Sequence, residues 1–259
     1  MKKPVTLYIL LLALSIGVLF LLNLFLGSVD IPFRSIWNIL WGMDEGESVI
    51  WQNIIWKSRV PQALTAMVAG AGLAVSGLQM QTVFRNPLAG PSVLGISSGA
   101  SLGVAFVVLL SGSIGGIALS RLGFMGEIAL TMAAIIGALS IMALIVYVSQ
   151  KVHGNVTLLI IGVMIGYVAN AVIGVLKFFS VEEDIRAYVI WGLGSFARVS
   201  GNQMMVFVCI MAVLLPLSFL LIKTLNLLLL GDAYARNLGL NIKRARLQVI
   251  ACSGVLVAI

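Results

Sequence analysis

Phe84–Gly103 reads FRNPLAGPSVLGISSGASLG. Two prolines, four glycines, four serines and one charge, Arg85, lie between two segments apolar enough to enter lipid. Asn86-Pro87 and Gly90-Pro91 are turn signals, because proline presets φ and glycine tolerates the left-handed conformation. Gly95, Gly99 and Gly103 then recur every four residues, which places them on one helix face. The stretch predicts a hairpin: one helix ends near Arg85, the chain turns back, and a second helix begins with a face small enough for a close neighbour.

The flanking sequence makes those helices membrane spans. Of 259 residues, 61% are hydrophobic and 10% charged, against about 25% charged in an average soluble domain. Val5–Val29, Val60–Phe84, Asn86–Ser120, Ile128–Gln150, Val152–Leu176 and Val199–Ile222 contain no Asp, Glu, Lys or Arg. Each is long enough to cross a hydrocarbon core of about 30 Å as a helix. A seventh run begins at Leu247 and is still apolar at Ile259. The expected fold is an all-α polytopic membrane protein, a bundle of six complete transmembrane helices and the start of a seventh. Lys2 and Lys3 before the first run suggest a secretory signal, but no small-residue cleavage site follows closely, so the run reads as a retained first helix.

Orientation follows from basic residues in the short loops. With the amino terminus inside, Lys2, Lys3, Arg85, Lys151, Lys223, Arg236, Lys243, Arg244 and Arg246 are internal, and Arg34, Lys57, Arg59, Arg121, Lys177, Arg186 and Arg198 external. Every acid except Asp232 is then external. A basic inner face suits anionic lipid heads and a cytoplasmic partner, not nucleic acid. The long outer segments carry Trp37, Trp41, Trp51, Trp56, Tyr188 and Trp191, which either anchor at the interface or also form a docking platform. Cys209 and Cys252 differ in depth and read as buried packing residues, not a disulfide.

Several chemistries lack their residues. The sequence has no P-loop motif, no H-E-x-x-H, no cysteine pair at zinc spacing, no carboxylate inside a predicted span and a single histidine, His153, in an inner loop. No catalytic residue, resident metal or cofactor is expected, and a carrier of this kind must draw its energy from elsewhere.

Two stretches carry more information. Gly162, Gly166, Asn170 and Gly174 form a stripe on the fifth run, suited to close packing or to a weakly polar solute path. LLLLGDAYARNLGLNIKRAR, Leu227–Arg246, places Asp232 as an N-cap, Gly239 as a left-handed stop and Asn241 as the next cap. A helix that short needs a surface to rest on, in its own protein or in a partner, and from these residues alone a plain surface turn is the favoured reading.

Ser58–Gly103, RAYVIWGLGSF (Arg186–Phe196) and Leu227–Arg246 together resemble the FecCD-type permease subunit of ABC importers (type II) for iron–siderophore, haem and cobalamin complexes. The resemblance runs along nearly the whole chain, and its N-P-L-A-x-P-x-x-L-G-[IV]-S-x-G pattern is specific. It implies one permease domain over 1–259 with a cytoplasmic coupling segment at 223–246. It implies a family fold of about ten helices, of which the carboxyl-terminal third is missing here. The implied setting is the bacterial inner membrane, with a second permease copy, cytoplasmic ATPase subunits that use ATP and Mg, and an extracytoplasmic binding protein. Gly231, Asp232, Ala233, Tyr234, Ala235, Arg236, Leu238 and Gly239 are implied to couple to the ATPase. Asn86, Pro87 and Leu88, with Asn155 and Val156, are implied to form the inner gate, and Arg59 to dock the binding protein. Gln62 stands where many members have a second arginine. The rival readings are a permease for bare metal ions and a non-transporting membrane scaffold or fragment.

Overall fold

A computed structural model describes residues 5–43, 46, 48–115, 124–152 and 155–259. Lys2, Lys3, Asp44, Glu45, Glu47, Arg121 and His153, all used in the charge and ligand readings, lie outside the described residues. All regular structure among those described is helical. Its order begins with α1 (Val5–Phe25), α2 (Phe33–Leu40) and α3 (Val49–Ile54), which passes through a π-helical turn at Ile55–Arg59 into α4 (Val60–Phe84). It continues with a 3-10 turn (Pro91–Leu94), α5 (Ile96–Gly115), α6 (Phe124–Lys151), α7 (Asn155–Phe179) and α8 (Glu182–Gly192). A 3-10 turn (Phe196–Arg198), α9 (Gly201–Phe219), α10 (Ile222–Leu229), α11 (Asp232–Asn237) and α12 (Ile242–Ala258) complete it.

Among the described residues five helices are long and apolar enough to cross a membrane: α1, the continuous α3–α4 rod, α6, α7 and α9. α5 runs 20 residues and α12 runs 17. The polytopic helical architecture is therefore present. The expected count of six complete spans and a partial seventh is not reproduced, because the described apolar part of α5, Ile96–Leu110, is too short for the same criterion. α1 is apolar on every side and buries only Leu24, as a lipid-facing helix does. Pro216 lies inside α9, where it removes one ladder hydrogen bond that neighbouring groups in a membrane bundle must replace.

The chain forms two compact units: Met1–Ala69 with Ser195–Ile210, and Gly70–Gly194 with Met211–Ile259. In the first, Leu24, Ile31, Ile36, Ile39 and Ile55 make a small core. α2 turns Ser35, Ile36 and Ile39 into it and leaves Phe33 and Trp37 exposed. The rings of Phe25, Phe33, Trp37 and Trp41 follow one another at centroid separations of 4.8, 6.4 and 5.8 Å.

The second unit is built on glycine contacts. A Cβ at Gly99 would meet the Gly137 carbonyl oxygen at 2.7 Å, and one at Gly103 would overlap the Ala133 carbonyl. The stripe read from Gly95, Gly99 and Gly103 thus serves close packing of α5, the latter two on α6. Gly95 adopts φ 72° and faces α7, where a Cβ would lie 3.0 Å from the Gly162 carbonyl oxygen. Apolar burial fills the rest: Met80, Val83, Leu94, Ile96, Ile145, Leu228, Val249 and Ile250 belong to one core. Cys252 is half-buried and Cys209 exposed, and both are free. For Cys209 this corrects the expected buried packing, because its side of α9 has no covering neighbour among the described residues.

Candidate functional site

α11 has only six residues, and its order comes from its ends and from one buried side chain. Gly231, at φ 109°, is the N-cap. This displaces Asp232 from the capping position read from sequence and makes it the first helical residue. At the far end Gly239 takes φ 85°. Its N–H donates to the Arg236 carbonyl at 2.9 Å, and the Leu240 N–H donates to the Ala235 carbonyl at 2.9 Å. That is the Schellman arrangement expected of a glycine stop. Asn241 accepts from the Arg244 N–H at 3.2 Å and caps α12 as anticipated. Ala235 is 0% exposed and joins the unit's main core, while Tyr234 is 70% exposed and Leu238, Leu229 and Leu230 are also exposed. The short helix rests on its own protein and presents its other side outward.

The hairpin that follows α4 is tied to this element. Arg85 donates through Nε to the Leu228 carbonyl at 3.3 Å, in the last turn of α10. Its Nη2 meets Asp232 Oδ1 at 2.5 Å, and Arg246 Nη2 on α12 meets Asp232 Oδ2 at 2.5 Å. One carboxylate therefore joins the end of α4, the start of α11 and the first half of α12. Beyond Arg85, Asn86 Oδ1 accepts from the Leu88 N–H at 2.9 Å, and the Ala89 N–H donates to the Asn86 carbonyl at 3.0 Å. Pro87 lies between them, and Leu88 is left 87% exposed. Val156 in the first turn of α7 is exposed as well. Asn155 opens α7, and its side chain lies outside the described residues.

The α7 stripe divides. Gly162 and Gly166 are buried: a Cβ at Gly162 would meet the Val93 carbonyl oxygen at 2.8 Å, and one at Gly166 would meet Ser98 Oγ at 3.4 Å. Asn170 and Gly174 are exposed, and nothing approaches Gly174 within 4 Å. A groove of about 200 Å³ lies beside them, lined by Ser92, Ser98, Gly162, Gly166, Tyr167 and Asn170. Its Tyr167 hydroxyl and Asn170 amide sit on α7, a helix of membrane-span length. Polar groups at that depth face protein or water, not lipid.

Arg59 occupies a position the sequence did not suggest. It is 5% exposed, and it donates to the carbonyls of Leu24 at 2.5 Å and Phe25 at 3.3 Å and to that of Val29. The Leu24 and Phe25 carbonyls close α1 and have no partner within that helix, and the Val29 carbonyl lies in the segment that follows it. The π turn brings Ile55 and Arg59 inward together, and Gly27 makes room: a Cβ there would lie 2.7 Å from Arg59 Nη2. Arg59, expected to dock a binding protein, is thus held by carbonyls of its own chain. Lys57 and Arg34 are the exposed cations near it in sequence.

α8 begins with Glu182, Glu183 and Asp184. Asp184 is 5% exposed, and its Oδ2 has no hydrogen-bond partner among the described residues. Burial, and then the neighbouring Glu183 carboxylate, push its carboxyl above the usual range. Lys177 Nζ lies 4.8 Å from the centre of the Tyr188 ring. Among the described residues no three His, Cys, Asp or Glu side chains come together as a metal site would need.

The family described as the FecCD transport family matches residues 12–259. The hemin transport system permease protein HmuU of Yersinia pestis is 35% identical over 233 residues, covering 90% of this chain and 66% of HmuU. The vitamin B12 import system permease protein BtuC of Serratia proteamaculans is 35% identical over 253 residues, covering 97% of this chain and 69% of BtuC. The chain thus spans about two thirds of the length of these curated relatives. A solved inward-facing conformation of a transporter assigned to the metal-chelate ABC type superposes with a TM-score of 0.76 at 29% identity, covering 99% of this chain and 74% of the other.

Proposed function

The chain belongs to the FecCD transport family, and from that premise we propose that it forms one wall of the translocation path for a metal chelate, haem or cobalamin in an ATP-driven importer. A binding protein outside delivers the substrate. ATPase subunits inside hydrolyse ATP with Mg, and a second permease copy supplies the other wall. The chain sits in the bacterial inner membrane with its amino terminus and α11 in the cytoplasm. It performs no bond chemistry on the substrate. ATP and substrate shift the population between outward-open and inward-open states through their different affinities for the two.

The observation that carries this reading is the construction of α11. Ala235 is buried in the protein's own core, whereas Tyr234 and Leu238 on the same short helix are exposed. A six-residue helix held by its own core with an apolar side left open suits the docking of a soluble partner and supports this reading. The groove beside Asn170 supports the path assignment, because small and weakly polar walls let a bulky solute pass without tight binding. The hairpin at Asn86, Pro87 and Leu88, with Asn155 and Val156, is assigned to the inner end of that path.

Photo-crosslinking tests the assignment of α11. A photoreactive residue in place of Tyr234 is expected to capture the ATPase subunit in membranes, and one at Phe178, exposed on α7, is not. Capture of no ATPase from position 234 would overturn it.

A further inference from the structure

Arg85 holds a backbone conformation that its residue type disfavours. α4 ends in a Schellman stop: the Arg85 N–H donates to the Thr82 carbonyl at 3.3 Å, and the Asn86 N–H donates to the Gln81 carbonyl at 3.1 Å. This motif needs a left-handed residue at the stop, normally glycine. α11 ends in the same motif with Gly239. At the end of α4 the residue is arginine, at φ 49°, the only described non-glycine residue with positive φ. Strain of this kind persists where the surroundings require the side chain, and it points to a function for that side chain.

The surroundings identify the requirement. Arg85 places one guanidinium between the last turn of α10, through the Leu228 carbonyl, and the first residue of α11, through Asp232. Arg246 closes the other side of the same carboxylate. Its Nε is buried with no hydrogen-bond partner among the described residues, and its Nη2 meets Asp232 Oδ2, the one anion its guanidinium contacts among them. Between Leu228 and Asp232 the chain passes Gly231 at φ 109°, a natural flexing point. Without the ion pairs only the burial of Ala235 would hold α11, and Gly231 would let its start shift relative to the hairpin.

We propose that Arg85, Asp232 and Arg246 form an electrostatic joint that makes the coupling helix and the Asn86–Leu88 hairpin move as one body, so that motion imposed on α11 reaches the inner end of the path. The proposal rests on the function proposed above for α11. The three residues are positioning residues and contact neither nucleotide nor substrate. The joint is specific to charge pattern: two cations share one anion, so neutralising Asp232 leaves both arginines without the anion that ties them together.

Spin-label distance measurements on the permease in lipid nanodiscs test the joint directly. Labels are placed through Leu88→Cys and Tyr234→Cys in a background carrying Cys209→Ser and Cys252→Ser. The parent is expected to give one narrow distribution. Asp232→Asn is expected to broaden it, and the inverted triple Arg85→Glu, Asp232→Lys, Arg246→Glu to restore it. Arg85→Gly is expected to broaden the distribution without lowering thermal stability, because glycine relieves the left-handed strain; a purely structural arginine would cost stability instead. In liposomes with the ATPase, Asp232→Asn is expected to lower substrate moved per ATP by about tenfold, the scale of an ordinary coupling energy, while hydrolysis continues. Parent-like distributions in both Asp232→Asn and Arg85→Gly would overturn the joint. Failure of the unmutated assembly to transport would overturn the proposed function and leave the distance result standing.

Discussion

At the residue scale, a buried guanidinium must replace the water it gives up. Arg59 does so with the carbonyls of Leu24, Phe25 and Val29. Arg59→Ala would leave those carbonyls without their donor and is expected to destabilise the protein by about 2 kcal/mol, read as a lower thermal midpoint in detergent. Gly27→Ala is expected to act in the same direction by displacing the guanidinium. An arginine used only for docking would leave the midpoint unchanged. Asp184 gives a pH signature of the opposite kind. Its folded pKa is raised above the ordinary 3.8, so the folded state holds the proton more tightly than the unfolded chain. Stability then falls as pH rises from the ordinary carboxyl value through the raised one, and stays lowered above it. Asp184→Asn is expected to raise the thermal midpoint relative to the parent at pH 7, with the gain absent below about pH 4. An equal effect at both pH values would contradict the burial account.

At the element scale, the glycine contacts separate packing from open surface. A Cβ at Gly137 would collide with the Gly99 carbonyl of α5, whereas at Gly174 nothing lies within 4 Å. Gly137→Ala is expected to cost about 1–3 kcal/mol through overpacking. Gly174→Ala is expected to be neutral or slightly stabilising, since alanine favours the helix; equal losses at both sites would refute the assignment. The α5 face was legible because four-residue glycine spacing marks a close approach whatever lies opposite. Its partner Gly137 was not, being a lone glycine in an apolar run. α11 was legible through Gly239 and Asn241, whose stop and cap are local chemistry. The position of Arg59 was hidden because a cation at the edge of an apolar run reads as the start of a loop, and a helix continuing through a π turn leaves no local signal. The joint was hidden for a different reason: Arg85 and Asp232 are 147 positions apart, and only tertiary structure brings them together.

At the scale of the whole molecule, the proposed function makes α11 and the Arg85 hairpin parts of one route from the ATPase to the path. It requires that α11 and the hairpin share one side of the membrane. Single cysteines at 88 and 234 are therefore expected to react with an impermeant thiol reagent in inside-out vesicles and to be protected in intact cells. Labelling from outside would reverse the proposed orientation. The central claim, that this chain moves solute only when an ATPase drives it through α11, is tested most directly by uptake into proteoliposomes. These hold the permease with its ATPase, and a substrate-loaded binding protein is supplied on the opposite side. Accumulation of a metal chelate, haem or cobalamin that requires ATP hydrolysis is expected. Flux that proceeds equally without ATP, or hydrolysis that never yields accumulation of any of these solutes, would contradict it.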